Sequence, residues 1–186
     1  MTSMSEHVFE LSQFGLRVGT RLEGEAARKD LVKTVGSLPP EGQLTISLHG
    51  VDVLSGSFAD EVIGKVYQDL VKGRHGERTI IIQTPSIELT DDLSNKLERR
   101  KLAMLCLVGE DWCLIGARTE ALIETLGLII QKKQTTAKEL ALELGLHMNA
   151  CVNRVARLAK LHLIRREQVG MSGPQAIYSL HSILAG

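Results

Sequence analysis

The side chains best suited to chemistry fall on one short stretch, His147 to Lys160. There Asn149, Asn153, Arg154, Arg157 and Lys160 lie off an apolar stripe of Cys151, Val152, Val155 and Leu158. Read at helical spacing, the stretch predicts a helix with one apolar and one polar side. Carboxamides and guanidinium groups make paired hydrogen bonds to purine edges, whereas lysines neutralise phosphates without reading sequence. Lys132, Lys133 and Lys138 precede this helix, and Arg165, Arg166 and Gln175 follow it on an expected strand, turn and strand. The net charge of zero hides a matching asymmetry. Residues 1–116 hold 13 Lys/Arg against 17 Asp/Glu, and residues 117–186 hold 9 against 5. An acidic part joined to a compact basic one points to a polyanionic partner for the basic part.

Other chemistries find less in the sequence. The histidines His7, His49, His75, His147, His162 and His181 are scattered without metal-ligand spacing. Cys106, Cys113 and Cys151 are an odd number without CxxC spacing, so they are expected to be buried thiols acting as small hydrophobes, with neither a disulfide framework nor a zinc site. Asp91 and Asp92 open an expected helix, where the positive end of its dipole accounts for them. No phosphate loop, nucleophile elbow or dinucleotide fingerprint is present, so no cofactor, no metal and no enzymatic activity are expected. The composition, 44% apolar and 24% charged, is that of a globular protein. No apolar run approaches the roughly 20 residues of a membrane span, and the polar start MTSMSEHVFE lacks the features of a secretory leader. A cytoplasmic location away from membranes is expected.

The elements that must position these groups follow from periodicity. Val8, Phe9 and Leu11 begin a strand, and Ala26, Ala27, Leu31, Val32 and Val35 recur at helical spacing up to the break at Pro39-Pro40. Gln43–Leu48 reads as a strand, and Phe58, Val62, Val66 and Leu70 mark a helix from about Ser57 to Lys72. Thr79–Gln83 is the most apolar strand, Leu89, Leu93 and Leu97 mark another helix, and Met104–Val108 and Trp112–Ile115 read as closing strands. Alternating strands and helices imply an α/β layer over residues 1–116. From 117 to 186 the character changes. A helix spans about 119–133 with Leu122, Ile123, Leu126, Ile129 and Ile130 on one side. Thr136 and Glu139 then form a capping box, and Gly145 ends a short helix. After the helix at 147–160 comes a hairpin, turning at Gly170–Gln175.

The stretch TTAKELALELGLHMNACVNRVARLAKLHLIRREQ, with the hairpin behind it, resembles the winged helix-turn-helix domains of bacterial transcription regulators. That resemblance implies that the third helix enters the major groove of duplex DNA, with the hairpin as its wing. Asn149, Asn153, Arg154, Arg157, Lys160, Arg165, Arg166, Gln175, Lys132, Lys133 and Lys138 then become the DNA-binding candidates. GVDVLSGSFADEVI, after the strand 44–48, together with Val18-Gly19-Thr20-Arg21 and Ala26, resembles a STAS-like domain of unknown function, related to the anti-anti-sigma STAS fold. Ser57 reads as a helix cap with Asp60 at the third helical position. In STAS regulators a serine at this turn is phosphorylated, so the resemblance makes Ser55 and Ser57 regulatory candidates. The chain departs from the anti-anti-sigma pattern by lacking the aspartate that precedes its serines.

The fold class expected is therefore a STAS-like α/β sheet with packed helices plus a winged helix-turn-helix domain. The function expected is DNA-binding transcription regulation, by a homodimer formed through the first domain or the helix at 119–133. The STAS resemblance further implies a protein partner of the histidine-kinase-type ATPase class. The alternative is a partner-switching module whose winged helix contacts proteins instead of DNA.

Overall fold

The computed structural model describes residues 7–184, so the first six residues of the polar start lie outside it. The chain is α/β, with a mixed parallel and antiparallel sheet, and forms two compact units that meet between Arg118 and Thr119. The first unit runs β1 (His7–Glu10), β2 (Arg17–Val18), α1 (Arg21–Ser37), β3 (Gln43–Ser47), β4 (Val53–Leu54) and α2 (Gly56–Ala59). A π-helical turn (Asp60–Gly64) then leads into α3 (Lys65–Val71), followed by β5 (Thr79–Thr84), α4 (Asp91–Arg99), β6 (Ala103–Val108) and β7 (Asp111–Gly116). Its main sheet has the order β1-β3-β5-β6-β7, parallel throughout except for the antiparallel β6–β7 hairpin. Each parallel connection steps to the next strand in the same direction. Right-handed crossovers therefore put α1, the α2–α3 segment and α4 on one face.

Local chemistry sets where these elements start. Thr20 and Glu23 build a capping box at the head of α1, Thr20 accepting the Glu23 N–H while the Glu23 carboxylate accepts the Thr20 N–H at 2.9 Å. The buried stripe of α1 is Ala27, Leu31 and Val35; Ala26 and Val32, expected with them, face water. They flank the stripe by about 100° each way, which is too far for a helix that buries one narrow face.

The π-helical turn directs two consecutive carboxylates apart. Asp60 receives a fork from Arg100, Nε at 2.7 Å and Nη2 at 2.9 Å, and Arg100 Nη1 donates to Gln68 Oε1 at 2.7 Å. The guanidinium holds the Asp60 carboxyl below its ordinary range. Glu61, only 1% exposed, meets Lys65 at 2.6 Å, Arg28 at 3.4 Å and Arg21 at 4.0 Å. Gly24 is small because α1 passes this carboxylate closely: a Cβ there would lie 2.9 Å from Glu61 Cβ.

The second unit runs α5 (Glu120–Lys132), β8 (Gln134–Thr136), α6 (Ala137–Leu144), α7 (Met148–Lys160), β9 (Ile164–Ser172) and β10 (Gln175–Ser182). Its sheet has the order β8-β10-β9, all antiparallel. The capping box forms as expected, with the Glu139 N–H reaching Thr136 Oγ1 and the Glu139 carboxylate accepting the Thr136 N–H. Gly145 ends α6 in the left-handed conformation at φ 62° and ψ 36°. Two stretches differ from their expected form. The polar break at Gln134-Thr135 is a strand, because β10 offers it an edge to pair with; and β9 and β10 run through much of the expected turn to leave only Gly173-Pro174 between them. Leu122, Leu126, Ile129, Leu140, Cys151, Val155, Leu158 and Leu180 are buried, so the core lies where α5, α6 and α7 meet the sheet. Among the described residues, no helix is long and apolar enough to cross a membrane.

Candidate nucleic-acid interface

The inward stripe of α7 is Cys151, Val155 and Leu158. Val152, expected beside them, is instead 46% exposed, since it sits a further 100° around from Cys151 than the stripe allows. Opposite the stripe, Asn149, Asn153 and Lys160 are exposed, with Ala156 between them also in water. These four lie within less than half of the helix circumference, so α7 presents a row of two amides and an ammonium with a small residue at its centre. Met148 and Val152 add an apolar flank that sequence reasoning missed. Apolar side chains at such a flank suit thymine methyl groups as well as they suit protein. Arg157 is half-buried.

Arg154 does not belong to this row. Its guanidinium turns to α5, where Nη1 donates to Glu124 Oε2 at 2.9 Å and to Thr125 Oγ1 at 3.3 Å. One residue past Asn153 is enough to carry the side chain from the wet face to the side that packs on a neighbour. Lys132 is likewise engaged, forming an ion pair with Glu143 on α6. Glu143 raises the Lys132 pKa and keeps the charge in place while drawing it toward α6. Lys133 and Lys138 are exposed; Lys133 ends α5 at φ 64°, and its carbonyl accepts the Ser182 N–H at 2.9 Å, which fixes the turn into β8.

On the hairpin, the exposed Arg166 lays its guanidinium 4.9 Å from the centre of the Tyr178 ring. The aromatic therefore holds this cation beside the strands, on the face that Arg166 shares with the buried Leu180 opposite it. Arg165 points to the opposite side, half-buried and across from His181, while Gln175 is exposed beside the turn. Val169, Met171 and Ile177 are exposed further out along the same hairpin. The structure thus brings Asn149, Asn153 and Lys160 onto one surface and places Arg166 and Gln175 on the hairpin.

The serine turn of the first unit is built differently from its expected form. Ser55, and not Ser57, caps α2: its Oγ accepts the Phe58 N–H at 3.3 Å and donates to the Gly19 carbonyl at 2.7 Å. The Ser57–Asp60 spacing fits a capping box, but β4 pairs with β2 and carries Ser55 to Gly19, so the cap moves two residues earlier and the helix begins at Gly56. Asp60, expected to complete the cap, goes to Arg100. Ser57 sits exposed in the first turn. Ser55→Ala is expected to lower stability by about 1 kcal/mol, whereas Ser57→Asp stays within about 0.5 kcal/mol of the parent. Paired thermal melts check both values; equal melting of the two variants would return the cap to Ser57. Compared with models of protein families and with curated proteins, the sequence finds no match in either.

Proposed function

We propose that the chain is a DNA-binding transcription regulator. In this reading Thr119–Leu184 is a winged helix-turn-helix domain that lays α7 in the major groove, and the first unit is a STAS-like domain that takes a partner or signal. What supports it is the element order helix, strand, helix, helix, strand, strand, with a tight turn between α6 and α7. The observation that carries it is the exposed row Asn149, Asn153 and Lys160 on a helix whose other side is anchored in the core. Arg166, held by Tyr178, and the exposed Lys133 and Lys138 supply phosphate contacts around it. A homodimer acting in the cytoplasm fits a domain this small, since one recognition helix covers only a short site. The partner suited to a STAS-like first unit is an ATPase of the histidine-kinase class. Ser57 is the serine of the turn open to such a kinase, because Ser55 is already committed to its two hydrogen bonds.

The test is selection of a preferred duplex from a randomised pool, followed by fluorescence anisotropy on that duplex and a scrambled one over a range of salt. The expected result is affinity that falls steeply as salt rises, with a preference for the selected sequence. A second reading, a protein-binding winged helix, is favoured by the exposed Val169, Met171 and Ile177 of the hairpin. It becomes the answer if no duplex is bound even at low salt.

A further inference from the structure

The β6–β7 hairpin turns at Gly109 and Glu110, and its register sets Cys106 directly opposite Cys113. Directly opposed residues of an antiparallel pair project their side chains on the same face, with Cα atoms about 4.5–5.5 Å apart. That spacing lies within the roughly 4.4–6.8 Å that disulfides span, so the two sulfurs can bond without the strands moving apart. The two thiols have unequal surroundings. Cys106 is fully buried on an inner strand, whereas Cys113 is half-buried on β7, at the edge of the sheet. A partly accessible attacking sulfur backed by a sheltered one is the arrangement a two-step oxidation requires.

We propose that Cys113 and Cys106 are a peroxide-reactive dithiol, with Cys113 attacking and Cys106 resolving. The Cys113 thiolate attacks one oxygen of hydrogen peroxide and the O–O bond breaks. Hydroxide leaves and takes up a proton as water, and Cys113 carries a sulfenic acid. The Cys106 sulfur then attacks the Cys113 sulfur, the S–S bond forms, and the S–O bond breaks. This second hydroxide leaves as water with the proton of the Cys106 thiol. Two thiols and one peroxide thus give one disulfide and two waters, and a small dithiol reverses the change.

The electrostatics of the pair follow the same division of roles. Hydrogen bonding from Cys106, with help from the Arg118 guanidinium, holds the Cys113 thiol down to about 7, while Cys113 and burial push the Cys106 thiol up. Arg118 is itself fixed nearby, its Nη1 donating to the Leu114 carbonyl at 3.0 Å. Cys151 provides an internal contrast. It is buried, its thiol donates to the Ala137 carbonyl at 3.3 Å, and burial raises its pKa.

The experiment uses the full chain. Native protein is treated with hydrogen peroxide, blocked with iodoacetamide and digested with trypsin, which releases Leu102–Arg118 as one peptide holding both cysteines. The expected product is that peptide two hydrogens lighter and unalkylated, restored to a doubly alkylated form by dithiothreitol, while Cys151 alkylates after denaturation as in untreated protein. Without peroxide, Cys113 is expected to alkylate about tenfold faster than Cys151 in the folded protein at neutral pH. In Cys106→Ser, a sulfenic acid is expected to accumulate on Cys113 and to be trapped by dimedone. If that variant does not fold, the peptide from the parent protein decides alone. A Leu102–Arg118 peptide that stays doubly alkylatable after peroxide, or a disulfide that forms first through Cys151, overturns the proposal.

Discussion

Gly116→Ala is expected to destabilise the first unit by about 3 kcal/mol or more. Gly116 sits at φ 93°, a conformation that side chains rarely adopt, and a Cβ there would lie 2.3 Å from the Leu102 carbonyl oxygen and 2.8 Å from Leu97 Cβ. Neither neighbour can yield. The Leu102 carbonyl accepts the Ala117 N–H at 2.8 Å, and the Gly116 N–H is tied to Ser94 Oγ at 2.9 Å. Backbone strain and overpacking each cost about 1–3 kcal/mol, and here both apply. Trp112, the sole tryptophan, lies on the same strand, so its fluorescence in urea reads the unfolding of this unit directly. At typical slopes the midpoint drops by about 1–3 M. The contrast is Gly145→Ala, whose added methyl meets nothing within 4 Å and which costs only the left-handed backbone, about 1–2 kcal/mol. A Gly116→Ala midpoint equal to the parent's would show that the turn relaxes around the methyl group.

The second large effect separates neighbours on α7. Asn153→Ala is expected to cost about 1–3 kcal/mol on the preferred duplex, with melting unchanged, because the amide is exposed and holds nothing together. Arg154→Ala is expected to behave in the opposite way. It loses the bonds to Glu124 and Thr125 and melts slightly lower, by about 0.2–1 kcal/mol for a partly exposed pair, while duplex affinity changes little. Anisotropy and thermal melts on both variants give four numbers that fix this ordering. Lost affinity with unchanged melting in Arg154→Ala would mean that the guanidinium leaves Glu124 to reach DNA, and would reverse it.

These two residues also mark how far sequence reasoning reaches. Periodicity found α7 and three residues of its stripe, Cys151, Val155 and Leu158, and the capping box and the end of α6 at Gly145 were legible because they depend on residues three or four apart. What lay beyond the sequence was each side chain's distant competitor. Arg154 and Asn153 look alike to a rule about polar faces; only the presence of Glu124, 30 residues away, distinguishes them. Ser57 lost its cap to Ser55 for a similar reason, since the Gly19 carbonyl that orients Ser55 comes from across the β2–β4 pairing. β8 was missed because three polar residues carry no alternating pattern, and become a strand only where β10 has an open edge. The cysteine pair was invisible for want of a register: Cys106 and Cys113 have no motif spacing, but they face each other once the turn is fixed at Gly109.

The strand order of the first unit also has a kinetic side. Each of the three parallel pairings in its main sheet joins segments separated by a whole helical connection, so a long loop must close before any ladder bond repays the lost chain entropy. The β6–β7 hairpin is the exception, because its two-residue turn brings the strands together locally, on a timescale of microseconds. It is therefore the fastest-closing pairing open to this sheet. On a ribosome the apolar β5 emerges before its partner β6, so the edge of β5 that receives Cys106–Val108 stays open until those residues follow, and a chaperone that shields nascent segments has that edge to cover.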